Sequence, residues 1–98
     1  MNCKPGDVAV VIGDSKYAGK LFEVLYSAPT DKSFKLPDGV WHDACEAGVW
    51  VLKVVGEAVD APFGGGFRKA RYGCGGDAKL QPLRERFDLR QQTLLHNV

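Results

Sequence analysis

Apolar and polar positions alternate along this chain in short runs with a period of two, the signature of strands with one face turned inward. From Asp7 to Ile12, Val8, Val10 and Ile12 fall on one face and Ala9 and Val11 on the other. Both sets are apolar and one of them must be core; Val10 and Ile12 are assigned to it. From Lys20 to Ser27, Phe22, Val24 and Tyr26 alternate with Leu21, Glu23 and Leu25. Glu23 marks the wetter face, so the aromatic set points inward. From Val49 to Val55, Trp50, Leu52 and Val54 alternate with Val49, Val51, Lys53 and Val55, and Lys53 gives the same kind of clue. The predicted core is therefore Val10, Ile12, Phe22, Val24, Trp50 and Leu52, with Trp50 as its anchor.

Glycine and proline punctuate the intervals between these runs so often that a helix of ordinary length hardly fits. Ser33 to Leu36, before the Pro37-Asp38-Gly39 turn, and Phe67 to Tyr72, between two glycine clusters, are weaker candidate strands. Beyond Asp77, Leu80 and Leu83 around Pro82 suit one tight helical turn or a last short strand. From Glu85 on, Leu83, Phe87 and Leu94 line one face of a helix, whereas Phe87, Leu89, Gln91 and Thr93 alternate as in a strand; the pattern leaves both open. About five short strands with no helix to cover them must bury their apolar faces against one another. The expected fold is all-β: a small barrel over residues 1–84, with a short helical turn, followed by a C-terminal tail or short helix over 85–98. Closure also protects strand edges.

A chain of 98 residues suffices for one core. With 13 basic against 12 acidic side chains there is no global field to draw it to a polyanion or a membrane, so such attraction must be local. No apolar run approaches the length of a membrane span. The opening Met1-Asn2-Cys3-Lys4-Pro5-Gly6 turns at once and lacks a signal-peptide core, so no export is expected. Three cysteines, Cys3, Cys45 and Cys74, cannot all pair, which fits reduced thiols in a cytoplasm. Only His42 and Cys45 are close in sequence, while Cys3, Cys74 and His96 stand alone, so neither metal nor other cofactor is expected.

The stretch Gly6-Asp7-Val8-Ala9-Val10-Val11-Ile12-Gly13, followed by Gly19-Lys20-Leu21-Phe22-Glu23-Val24-Leu25, resembles the KOW-type motif of small Src-homology-like (SH3-like) barrels. There a Gly-Asp turn leads into a hydrophobic strand, and a loop ending in glycine precedes a second strand with an inward valine. The resemblance implies the barrel. The loop here lacks the family's second glycine, so the family's binding to ribosomal RNA or RNA polymerase is not carried over. More broadly, Pro5-Gly6-Asp7, Trp50, and Asp77, Leu80, Pro82 and Arg84 resemble short uncharacterised bacteriophage and prophage proteins. That likeness implies a phage or prophage protein in a bacterial or phage-infected cell, and no particular activity.

Chemistry concentrates in few places. Between Gly64 and Gly73, Arg68, Lys69 and Arg71 lie between Phe67 and Tyr72 with no acid among them. The cations suit phosphates and the rings suit stacking on unpaired bases, and Arg84 is a further backbone contact. Against this stands a plain hairpin with its charges in solvent. The glycines do not make a phosphate loop, since no helix follows Gly66. His42, Asp43, Cys45 and Glu46 supply the residue types of a nucleophile, base and orienter, but groups so close in sequence rarely converge on one atom. An exposed loop with Trp41 packed on the barrel is the competing expectation. The strand of Trp50 carries valines on both faces, so its second face must be covered by the Asp31 to Glu46 excursion, by the tail, or by another molecule. The expectation is a non-enzymatic module that binds a host or viral protein as an inhibitor or adaptor. A nucleic-acid-binding barrel using Phe67, Arg68, Lys69, Arg71, Tyr72 and Arg84 is the alternative, and an enzyme built on His42 and Cys45 ranks third.

Overall fold

A computed structural model describes residues 2–63 and 65–83. Arg84 and the tail expected over 85–98 lie outside the described residues. The chain is all-β. Strands β1 (Val8–Val11), β2 (Leu21–Ser27), β5 (Val49–Val54), β8 (Tyr72–Gly76) and β9 (Leu80–Pro82) form one antiparallel sheet in the order β8-β5-β2-β1-β9. Two hairpins are inserted into this meander: β3 (Phe34–Lys35) with β4 (Trp41–His42), and β6 (Val59–Phe63) with β7 (Gly66–Ala70). A 3-10 turn at Asp77–Lys79 carries the chain from β8, at one edge of the sheet, to β9 at the other. No helix among the described residues is long and apolar enough to cross a membrane.

Register explains which residues enter the core. Ala9 lies opposite Phe22 in the β1–β2 pair, and both are buried, a small side chain against a large one on the same face. The expectation that Val10 and Ile12 face the core is thereby corrected: Ala9 is fully buried, Val10 is only half-buried and Ile12 is 38% exposed. Both faces of β1 are apolar, so alternation alone could not choose between them. Phe22 and Val24 pack with Trp50, Leu52, Val54, Leu80, Ala9 and Cys3 in the main core. Tyr26 does not continue that face. The register with β5 shifts between Val24, opposite Leu52, and Tyr26, opposite Val51, so a bulge turns Tyr26 out to 42% exposure.

The second face of β5 is covered by the chain itself. Val51 is fully buried against Ala28, Phe34 and Leu36, with Val40, Cys45, Tyr72 and Cys74 packed around them. The excursion through β3 and β4 is held by its own turn, in which Gly39 adopts a φ of 88° that only glycine takes readily. The Gly39 N–H donates to the Leu36 carbonyl at 2.8 Å, and the Val40 N–H donates to Asp38 Oδ1 at 3.1 Å. The Gly6-Asp7 turn has a comparable anchoring role. Asp7 is buried, its carboxylate accepts from the Lys4 N–H at 2.9 Å and its carbonyl accepts from the Val24 N–H at 2.8 Å.

Asp77 joins three parts of the fold. Its Oδ1 accepts from the Trp50 indole N–H at 2.8 Å and from the Cys3 N–H at 2.9 Å, and its Oδ2 accepts from the Asn2 N–H at 2.6 Å. The anchor of the core, the first residues and the turn between the two sheet edges therefore share one carboxylate. Burial by itself raises the Asp77 pKa, but the hydrogen bonds from Trp50, Asn2 and Cys3 outweigh it and hold the carboxyl below the usual range.

Candidate functional site

A cleft of about 580 Å³ opens beside β8, within the size range of small ligand sites. Its existence follows from composition. On the core side, β8 places Gly75 opposite Trp50 and Gly73 opposite Leu52, so the strand brings no side chain to the face where the main core lies. A methyl group on Gly75 would come within 2.9 Å of Leu52 Cδ1, whereas one on Gly73 would meet nothing within 4 Å. One wall comes from the β3–β4 hairpin, through Leu36, Val40 and Trp41, and the other from the β6–β7 hairpin, through Val59, Ala61 and Ala70. Arg68 and Lys79 line the cleft and, among the described residues, no carboxylate does. Among the described residues no strand pairs with the outer edge of β8.

The walls are tied to each other and to the sheet. Arg68 Nη2 reaches Asp38 Oδ2 at 3.3 Å, linking the two hairpins. The Tyr17 hydroxyl donates to the Asp60 carbonyl at 2.8 Å and its ring meets Phe22 edge-on, with centroids 6.5 Å apart. Lys16 Nζ stands 4.6 Å from the Phe67 ring centroid and 5.1 Å from that of Tyr17.

The basic segment is engaged within the fold. Arg68 pairs with Asp38, Lys69 Nζ lies 2.9 Å from Asp60 Oδ1, and Arg71 Nη1 donates to the Gly56 carbonyl at 3.1 Å. The side-chain hydrogen bond and charge of Lys69 pull the exposed Asp60 carboxyl below its ordinary pKa. The segment read as one strand is two: β7 ends at Ala70, a bend follows at Arg71, and β8 begins at Tyr72. Phe67 is 70% exposed on β7, while Tyr72 packs into the second cluster, so the two rings do not act as one platform.

The polar cluster after Gly39 also departs from expectation. Trp41 is not packed into the fold; it is 65% exposed, with Lys35 Nζ 5.4 Å from its ring centroid. His42 and Cys45 do converge, with Cys45 Sγ 3.8 Å from His42 Nδ1. Cys74, which sequence spacing left alone, joins them from β8: one ligand atom from each of the three residues lies within 4.8 Å of the others. All three are half-buried. Burial and the neighbouring Cys45 push the Cys74 thiol up to about 12, so it is held protonated. Asp43 and Glu46 are exposed and stand outside the cluster. The β5–β8 pairing, which sets Cys74 opposite Val51, brings this sulfur to the excursion, and no local spacing could have revealed it.

Compared with protein families, with characterised proteins and with solved structures, the chain matches none.

Proposed function

We propose that this chain is a non-enzymatic binding module, a small SH3-like barrel that captures an extended segment of another protein along the outer edge of β8. The observation that carries the reading is an apolar cleft beside an edge strand that has glycine at both core-facing positions, 73 and 75. A strand with one face bare of side chains lets a second backbone approach closely, main-chain hydrogen bonds supply affinity, and the flanking hairpins supply pockets for alternate side chains. The largely apolar lining, with Lys79 at its rim, favours a ligand that is apolar with an acidic flank. In the phage or prophage setting suggested by the sequence resemblance, that ligand belongs to a host or viral protein. Catalysis by Cys45 is disfavoured, because the His42 nitrogen nearest the thiol, Nδ1, is committed to the Asp43 carbonyl at 2.8 Å and cannot take the thiol proton.

The test is selection of random displayed peptides on the purified protein, followed by hydrogen exchange of the complexes. The expected ligands are extended, apolar and acidic at one end; they slow exchange at residues 73–75 and bind at least about tenfold more weakly to Gly73→Val. Ligands that leave β8 exchange unchanged, or a library that yields none, would overturn the proposal.

A further inference from the structure

His42, Cys45 and Cys74 bring together one imidazole and two thiols, the ligand set preferred by zinc and similar soft or borderline ions. We propose that these three residues form a metal site with three protein ligands and a fourth position open to the cleft, taking Zn²⁺ or an ion of like chemistry. A tetrahedral zinc ion with ordinary bond lengths holds its sulfur and nitrogen ligands about 3.5–3.8 Å apart. One ligand atom of each of the three residues lies within 4.8 Å of those of the other two. The required closure is on the order of 1 Å. Cys45 lies in the irregular segment after β4, where side-chain and backbone adjustment is easy, while Cys74 is fixed on β8.

The hydrogen bonds around the trio prepare it. His42 Nδ1 lies 2.8 Å from the Asp43 carbonyl. That oxygen can only accept, so Nδ1 carries the proton and Nε2 keeps a lone pair, the backbone-oriented tautomer common among metal-binding histidines. The Cys45 thiol is directed at the same carbonyl, 3.7 Å away. Binding exchanges two thiol protons for one dication: each sulfur becomes a thiolate ligand, two protons leave to solvent, and the neutral imidazole completes a site of net charge zero. His42 and Cys74 both line the cleft, so the fourth ligand is water or a donor atom of whatever enters it. Cys3 is buried in the main core and takes no part.

The test is titration of the full, reduced, chelator-treated chain with Co²⁺, followed by displacement with Zn²⁺. The expected result is one ion per chain, a sulfur-to-cobalt charge-transfer band with tetrahedral ligand-field bands in the visible, and loss of all of them on adding zinc. Cys45→Ser and His42→Gln, both at half-exposed positions, should each weaken zinc binding by about 100-fold or more, a loss at least as large as that for supporting residues. Cys3→Ser should leave the spectrum unchanged. A folded wild-type protein with no thiolate band, or a band that survives in Cys45→Ser or disappears in Cys3→Ser, would overturn the assignment. Circular dichroism of each variant separates loss of ligand from loss of fold.

Discussion

Asp77 offers a sharp test of how this small fold is held, because two substitutions remove different parts of one interaction. In Asp77→Asn one oxygen remains to accept from Trp50 and Cys3, but an amide replaces Oδ2 and faces the Asn2 N–H, donor against donor. One charge-assisted bond is lost and two lose their charge. Because the carboxylate is partly solvated, the cost belongs at the low end, about 1 kcal/mol. In Asp77→Ala the Trp50 indole N–H, on a residue only 5% exposed, also loses its acceptor. That adds a desolvation penalty and brings the total to about 2–3 kcal/mol. For a domain of this size the melting temperature should fall by about 4–8 °C for the asparagine variant and about 10–20 °C for alanine. Urea and thermal unfolding followed by tryptophan fluorescence measure both. Acid removes the contribution. The Asp77 pKa is lowered in the fold, so its contribution is complete above the ordinary carboxylate pKa and fades as pH falls through the folded value. The stability gap between wild type and Asp77→Asn should therefore shrink as the pH falls from neutral to below the ordinary carboxylate range. Equal stability of Asp77→Ala and wild type, or a gap that widens in acid, would refute the reasoning.

Three further expectations concern packing and charge. Gly75→Ala should destabilise by about 1–3 kcal/mol, because its methyl meets Leu52 Cδ1 at 2.9 Å, whereas Gly73→Ala should cost nothing in the same urea titration. Leu80→Ala should cost about 2–5 kcal/mol, since Leu80 is 1% exposed in the main core, while Ile12→Ser should stay within about 1 kcal/mol of wild type. Fluorescence anisotropy with labelled single-stranded DNA and RNA at low salt should show only weak binding, because Arg68 and Lys69 already face acids within the fold. A tight, steeply salt-dependent complex lost in Arg68→Ala and Arg71→Ala would instead favour the nucleic-acid reading.

The orientations of β2 and β5, at the centre of the sheet, were legible from alternation because each carries a charged marker on one face. Glu23 and Lys53 oriented β2 and β5, and Trp50 lies in the main core. Alternation lost its power where both faces were apolar, as in β1, where the choice of Ala9 over Val10 is made by its partner Phe22 across the register. It lost its power again at the β2 bulge, which no local residue announces and which turns Tyr26 outward. β8 was hidden for the opposite reason: Tyr72 to Gly76 is rich in the residue least suited to a strand interior, and its pairing with β5 overrides that preference. β6 was missed as well, with Pro62 within it. The cleft and the His42, Cys45 and Cys74 trio both depend on β8, so neither could be assembled before that strand was placed. Asp77 stood out in the sequence only through a resemblance; its work as a triple acceptor is set by contacts 27 to 75 residues away.

The Arg68–Asp38 bridge spans the two hairpins with both side chains about one-quarter exposed. Mobile ions weaken such a bond, worth about 1 kcal/mol or less, over distances of roughly 8–10 Å. Ionic strength then becomes a gatekeeper. Brine that discourages most charged encounters would here loosen the jaws, so that a purely greasy guest is admitted more readily in concentrated salt than in dilute buffer.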